Sequence, residues 1–220
     1  MDSGRIYRHF CMMARALEVV GERWSLLIVR DLLLGPRRFT DLARSLPEIT
    51  PTRLTNRLRQ LEAAGVVTRE PPISGREVWY RLTEAGLELA PVVDALTLWG
   101  IEHAFAPPRA GEPVPPVPLM IGTKVTLGLR AGSLRRPVVW VWRFAGADGF
   151  TIRYDEGAWT LARGEAEGAD LIVETTLETW AQFLCAPGAR KLPRDDIHLF
   201  GKPAAVRQFA KAFSAQLDRE

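Results

Sequence analysis

The chain has 220 residues, 47% of them hydrophobic and 25% charged, with a formal net charge of +3. These proportions are ordinary for a globular protein and exclude a disordered, collagen-like or highly charged tail protein. No apolar run reaches the roughly 18 residues of a membrane helix. The charged first ten residues lead into no apolar stretch, so no secretory signal and a cytoplasmic location are expected. Two cysteines, Cys11 and Cys185, and three histidines make a disulfide framework, a metal site and a cofactor unexpected.

The charge is unevenly spread. Residues 1–82 hold fourteen cations, all arginine, against nine acids, whereas residues 83–220 hold fifteen against seventeen. Arginine's planar fork suits phosphates and guanine edges. A basic first third ahead of a slightly acidic remainder therefore points to nucleic acid as a partner of the first third only. Six of the sixteen prolines fall within Pro107–Pro118. That density removes backbone donors and favours extended chain, so a semi-rigid linker is expected at 107–118, between a domain over 1–106 and another over 119–220.

Met12 to Val20 reads as a helix, with Met13, Ala16, Leu17 and Val20 at helical spacing, ended by Gly21. Trp24 to Leu34 is apolar nearly all round, a buried helix stopped by Gly35-Pro36. Thr40 can cap a short helix from Asp41 to Leu46, which Pro47 breaks. Thr50 followed by Pro51 opens a longer helix to about Ala64, closed by Gly65. Val66 to Arg69 and Val78 to Leu82 read as the strands of a hairpin. Thr83-Glu84 starts a long amphipathic helix towards Phe105 that Pro91 is expected to kink.

Beyond the linker, Leu119 to Leu129 fits helix or strand equally. Val138 to Phe144, Phe150 to Asp155, Ala158 to Ala162 and Leu171 to Thr175 read as strands, with Ile197 to Phe200 as another short one. Alternation puts Trp140, Trp142, Phe144, Phe150, Ile152, Tyr154, Trp159 and Leu161 on one face. Thr175 with Glu178 matches a capping box before a helix to Leu184, and Pro203 to Leu217 is the final helix.

A short helix, a tight turn and a longer helix over 40–64 make a helix-turn-helix. In the longer helix Leu54, Leu58 and Leu61 form the core stripe. Thr52, Asn56 and Arg59 lie opposite, flanked by Arg53 and Gln60. Arginine can fork onto guanine, and asparagine or glutamine onto adenine. Groove-reading helices use their N-terminal turns, which makes Thr52, Arg53 and Asn56 the candidate base readers, with the capping Thr50 beside them in the DNA-binding set. Arg57 and Arg59 suit phosphates, as do Arg37 and Arg38 ahead of the short helix. The hairpin carries Arg69, Ser74 and Arg76 where a wing would touch the neighbouring backbone. The alternative for this face is an ordinary solvated surface.

Cys11…Ala14-Arg15-Ala16-Leu17…Gly21-Glu22-Arg23-Trp24…Arg30-Asp31-Leu32…Gly35-Pro36-Arg37-Arg38-Phe39, continuing through Ile49-Thr50-Pro51, Gly65-Val66-Val67, Leu82-Thr83 and Leu96…Trp99-Gly100, resembles HxlR-type winged helix-turn-helix regulators. The resemblance implies a homodimeric transcription regulator on double-stranded DNA with a palindromic operator. It also implies a dimer contact through Leu89, Val93, Leu96 and Trp99, the alternative being packing within one subunit, and a redox-sensing role for Cys11, the alternative being a small buried apolar residue. Met12 stands where family members often carry proline. Arg8, His9 and Arg15 lie close to Cys11 in sequence and are able to lower a thiol pKa.

Gly157-Ala158-Trp159-Thr160-Leu161, Ala169-Asp170-Leu171-Ile172-Val173-Glu174-Thr175 and Phe200-Gly201-Lys202-Pro203…Phe209…Phe213 resemble a sterol-carrier-protein-2-like (SCP2-like) domain. The expected fold is thus α+β: a winged helix-turn-helix domain followed by an α/β SCP2-like domain with a mainly antiparallel five-stranded sheet. By this resemblance Trp140, Trp142, Phe150, Trp159, Trp180 and Phe183 line a pocket for an apolar small molecule, the alternative being solid core. The competing function is a lipid carrier whose helical half only mediates association. An enzyme is not expected: there is no phosphate-binding or dinucleotide loop, and the nearest polar cluster is Asp195-Asp196 with His198.

Overall fold

The computed structural model describes residues 7, 9–70, 77–104, 106–131, 134–185 and 196–214. The chain divides into two compact units, Met1–Asp94 and Ala95–Glu220. Among the described residues no helix is long and apolar enough to cross a membrane.

The first unit opens with α1 (Met12–Val20) and α2 (Ser25–Leu32), followed by β1 (Arg37–Arg38), α3 (Phe39–Ser45) and α4 (Pro51–Ala63). Then come β2 (Val67–Glu70), β3 (Trp79–Leu82), α5 (Glu84–Leu87) and α6 (Ala90–His103), whose first turns lie in this unit and whose remainder lies in the second. Its core gathers Ile28, Val29 and Leu32 of α2, Leu42 of α3, Leu54, Leu58 and Leu61 of α4, and Val67 and Leu82 of the strands.

Three local features differ from the sequence reading. Arg37-Arg38 form an edge strand, with Arg37 opposite Tyr80 and Arg38 opposite Trp79, so β3 is the central strand of a three-stranded sheet. The cap of α3 lies two residues earlier than Thr40: the Arg38 backbone N–H donates to the Asp41 carboxylate at 3.3 Å. The helix expected from Thr83 is two helices separated at Glu88-Leu89. Pro91 lies in the first turn of α6, where its missing N–H costs nothing, so it starts a helix rather than kinking one. Ser74 and Arg76, at the tip of the expected wing, lie outside the described residues.

The second unit contains α7 (Pro116–Arg130), β4 (Val138–Phe144), β5 (Phe150–Asp155), β6 (Ala158–Arg163), β7 (Leu171–Thr175), α8 (Leu177–Cys185), β8 (His198–Gly201) and α9 (Pro203–Ser214). Proline at its first positions commits α7 to helix. The sheet has five strands in the order β6-β5-β4-β7-β8. It is mixed: β4 and β7 run parallel from Trp140–Leu171 to Phe144–Thr175, while the other neighbours are antiparallel. The connection from β6 to β7 bonds to the sheet on the way. Thr151 Oγ1 donates to the Gly164 carbonyl (2.7 Å) and accepts from the Ala166 N–H (3.0 Å). The cap of α8 is Thr176, whose hydroxyl accepts from the Thr179 N–H at 3.1 Å, whereas Thr175 donates to the Asp196 carbonyl.

Asp31 ties the first unit together. It is 1% exposed, accepts from Arg30 Nε at 2.9 Å, and receives a hydrogen bond from the Ser45 hydroxyl at the end of α3. Removing one member of a buried charged network strands the others. Asp31→Ala should therefore lower the stability of the first unit by about 3 kcal/mol, read from denaturant unfolding of the full chain.

Candidate nucleic-acid interface

The orientation of α4 follows from its sequence. Thr50 Oγ1 accepts from the Arg53 N–H at 3.4 Å, and Pro51 occupies the first helical position. Leu54, Leu58 and Leu61 are 0%, 1% and 0% exposed and anchor the helix from one side. At its end Gly65 takes a left-handed conformation (φ 73°), and the Val66 N–H bonds the Leu61 carbonyl at 2.9 Å. The Thr83 hydroxyl, donating to the Gly65 carbonyl at 2.6 Å, fastens this end to the start of α5.

The opposite side of α4 is open. Thr52, Arg53, Asn56, Arg59 and Gln60 are all exposed, and none of their side chains has a hydrogen-bond or ion-pair partner among the described residues. The other arginines are engaged. Arg57 has a side chain only 16% exposed and pairs with Glu22 at 3.3 Å. Arg38 pairs with Glu77 at 2.8 Å, with its guanidinium 4.7 Å from the Trp79 ring centre. Arg37 is half-buried in β1. Arg69 grips Glu62 at the C-terminal end of α4 through two contacts of 2.8 and 2.7 Å. Sequence reasoning missed Glu77 and Trp79. The signal is non-local, since Arg38 meets Trp79 only through the β1–β3 pairing.

The four residues of the expected dimer contact divide. Val93 is 5% exposed in the first unit's core and Leu89 packs against that core. Leu96 and Trp99 are exposed at 52% and 59%, together with Val92 on the same helix. On α1, Met12 and Met13 are also exposed.

Cys11 is half-buried at the N-cap of α1, and its side chain makes no capping bond. Arg15 pairs with Glu18 at 3.2 Å and His9 sits edge-on to Tyr7, while Arg8 lies outside the described residues.

In the second unit Trp140, Trp142, Phe150 and Trp180 are fully buried, Phe183 is nearly so and Trp159 is half-buried. They pack ring on ring: Trp140 meets Phe209 at 5.1 Å, Trp142 meets Trp180 at 5.6 Å, and Trp180 meets Phe213 at 5.4 Å between centroids. The Trp180 indole donates to Thr123 Oγ1 at 2.8 Å, tying α8 to α7. Two cavities of this unit, of about 290 and 460 Å³, are lined by none of the six aromatics. Asp196 and His198 line the larger one beside Arg143 and Glu174, which pair with each other at 3.0 Å. Asp195 lies outside the described residues.

The HxlR-like helix-turn-helix family model matches residues 19–106. An HTH-type transcriptional regulator of Mycobacterium tuberculosis is 47% identical over 103 residues, which cover 46% of this chain and 63% of the relative. One from Methanothermobacter thermautotrophicus is 36% identical over 109 residues, covering 49% of this chain and 82% of the relative. Among solved structures, the redox regulator HypR in its oxidized form is 35% identical over 44% of this chain and all of that one, with a TM-score of 0.42. The chain spans 63% of the length of the mycobacterial relative. It belongs to the HxlR-like helix-turn-helix family.

The Glu62–Arg69 pair has a readable titration. The hydrogen bond from Arg69 holds the Glu62 carboxyl below its ordinary value. A depressed carboxyl contributes stability that is present above its ordinary pKa and is lost as pH falls through the lowered one. Arg69→Ala should return Glu62 to the ordinary carboxylate value, read by carboxyl NMR, and remove that acid-side loss.

Proposed function

We propose that the chain is a homodimeric, sequence-specific DNA-binding transcription regulator that lays α4 in the major groove of a palindromic operator. The observation that carries this reading is the open face of α4. Five polar side chains stand there without partners among the described residues, backed by three buried leucines. Burial on one side and unspent hydrogen-bonding capacity on the other are what a groove-reading helix requires. Membership of the HxlR-like family supports it. In this reading Arg53 and Asn56 meet base edges, Arg59 meets phosphate, and the hairpin approaches the adjacent backbone.

Leu96 and Trp99 are the dimer-forming part of the expected stripe, because large apolar side chains left in water are stabilised by burial against a second copy. Val93 and Leu89 support them from within the subunit. The second unit, a five-stranded sheet with α7 packed on β6, α8 and α9, is read as an SCP2-like domain that binds an apolar effector. An effector changes operator affinity only by favouring one dimer geometry over another.

Operator selection from random duplexes followed by mobility shift tests the reading, and equal binding to every sequence at physiological salt overturns it. Arg53→Ala should cost ~1–3 kcal/mol at one base position and relax specificity there, whereas Arg59→Ala should weaken all duplexes alike and reduce the salt slope by about one. Trp99→Asp should shift the protein towards monomer in sedimentation and lower operator affinity with it. A Trp99→Asp protein that remains dimeric removes α6 from the interface.

A further inference from the structure

We propose that the second unit holds a small-molecule site distinct from its aromatic core: the cavity walled by the end of α6, the proline-rich segment, α7 and α8 takes a compact apolar molecule that is neutral or carries a protonated amine. This names a place for the effector in the function proposed above, and rests on that reading only for its regulatory consequence.

The cavity measures about 290 Å³. That is room for about ten waters at ~30 Å³ each, and it lies at the lower edge of ligand pockets. Its walls are two helical stripes facing a chain segment. Leu119, Gly122 and Thr126 stand on one face of α7, at spacings of three and four. Leu184 and Cys185 come from the last turn of α8. Pro108, Pro113 and Pro115 stiffen its remaining side, and Pro118 belongs to the first turn of α7.

Gly122 is the informative residue. It lies in the middle of a fifteen-residue helix, where glycine is weaker than alanine. A Cβ there would meet nothing within 4 Å, and its backbone is not left-handed. Neither a turn nor a close approach requires this glycine, and what it does is leave the cavity open.

Charge selects the occupant. Among the described lining residues there is no lysine, arginine or histidine, and Glu112 is the single carboxylate. It is exposed and holds the Arg109 N–H at 2.9 Å. An anionic head group would face that carboxylate without a counter-charge, whereas an ammonium group would be attracted to it. The Cys185 thiol lies 3.6 Å from the Ala106 carbonyl, and burial pushes its pKa up, so it is a neutral part of the wall.

The test uses the full chain with Cys11→Ser, which leaves Cys185 as the single thiol, and N-phenylnaphthylamine as a neutral aromatic probe. Saturable fluorescence with one probe per chain is expected, together with at least tenfold slower iodoacetamide alkylation of Cys185 at saturation. Gly122→Leu, whose side chain would fill the space, should weaken the probe at least tenfold while near-ultraviolet circular dichroism stays native. If that variant unfolds, protection of Cys185 in the unfilled cavity decides. No saturable binding, unchanged alkylation, undiminished binding to a folded Gly122→Leu protein, or tighter binding of the anionic anilinonaphthalenesulfonate would each overturn the site. Operator affinity measured in the same samples separates the two ideas: absent DNA binding with intact probe binding defeats the regulator and leaves the site standing.

Discussion

The anchoring of α4 by Leu54, Leu58 and Leu61 is the constraint on which the interface depends. A helix has one rotational setting in which three leucines at spacings of four and three all leave water. Burying each contributes about 1.5–3 kcal/mol, so a rotation that turned Arg53 inward would cost several times the thermal energy. The polar face is therefore aimed by apolar packing on its far side. The cap at Thr50 and the left-handed Gly65 set where that helix starts and stops, and hence which residues occupy its exposed N-terminal turns.

The first unit separates arginines that hold the fold from arginines with no partner among the described residues. Arg57 is drawn to Glu22, Arg38 to Glu77 and Trp79, and Arg69 to Glu62. Exposed pairs of this kind contribute little stability. Their effect is positional: Arg69 ties β2 to the last turn of α4, and Arg38 ties β1 to β3. An engaged guanidinium can still approach a phosphate, but it must share or give up a carboxylate to do so. Among the described residues Arg53 and Arg59 have no carboxylate to give up, and composition alone does not distinguish the two groups.

The local signals in the sequence carried well where they were complete within a few residues. The bounds of α1, the cap, stripe and terminator of α4, and the strands β4, β5 and β7 follow from caps, glycines and periodicity. What was not legible depends on distant partners. Arg37-Arg38 become a strand only because β3 is there to pair with. The parallel pairing of β4 with β7 reverses one neighbour relation that alternation cannot encode. The same alternation placed the tryptophans on one face, but whether rings leave a void or fill it depends on α8 and α9. Phe209 and Phe213 of α9 pack against those rings, at 5.1 Å from Trp140 and 4.9 Å from each other.

The proline-rich stretch illustrates the remaining gap between pattern and structure. Proline density reads as a spacer, because a chain without amide donors cannot join a sheet or continue a helix. The same stiffness suits a wall: a segment with few accessible conformations loses little entropy when it is held against neighbours. Val114, Pro115 and Pro118 lie along one cavity with Leu119 and Leu184. At Gly122 α7 offers no side chain to the space, and a Cβ there would meet nothing within 4 Å. A packed core tends to remove voids of this size, since each lining atom without a partner forfeits dispersion energy. The aromatic rings pack one on another, and this cavity stands open in the same unit.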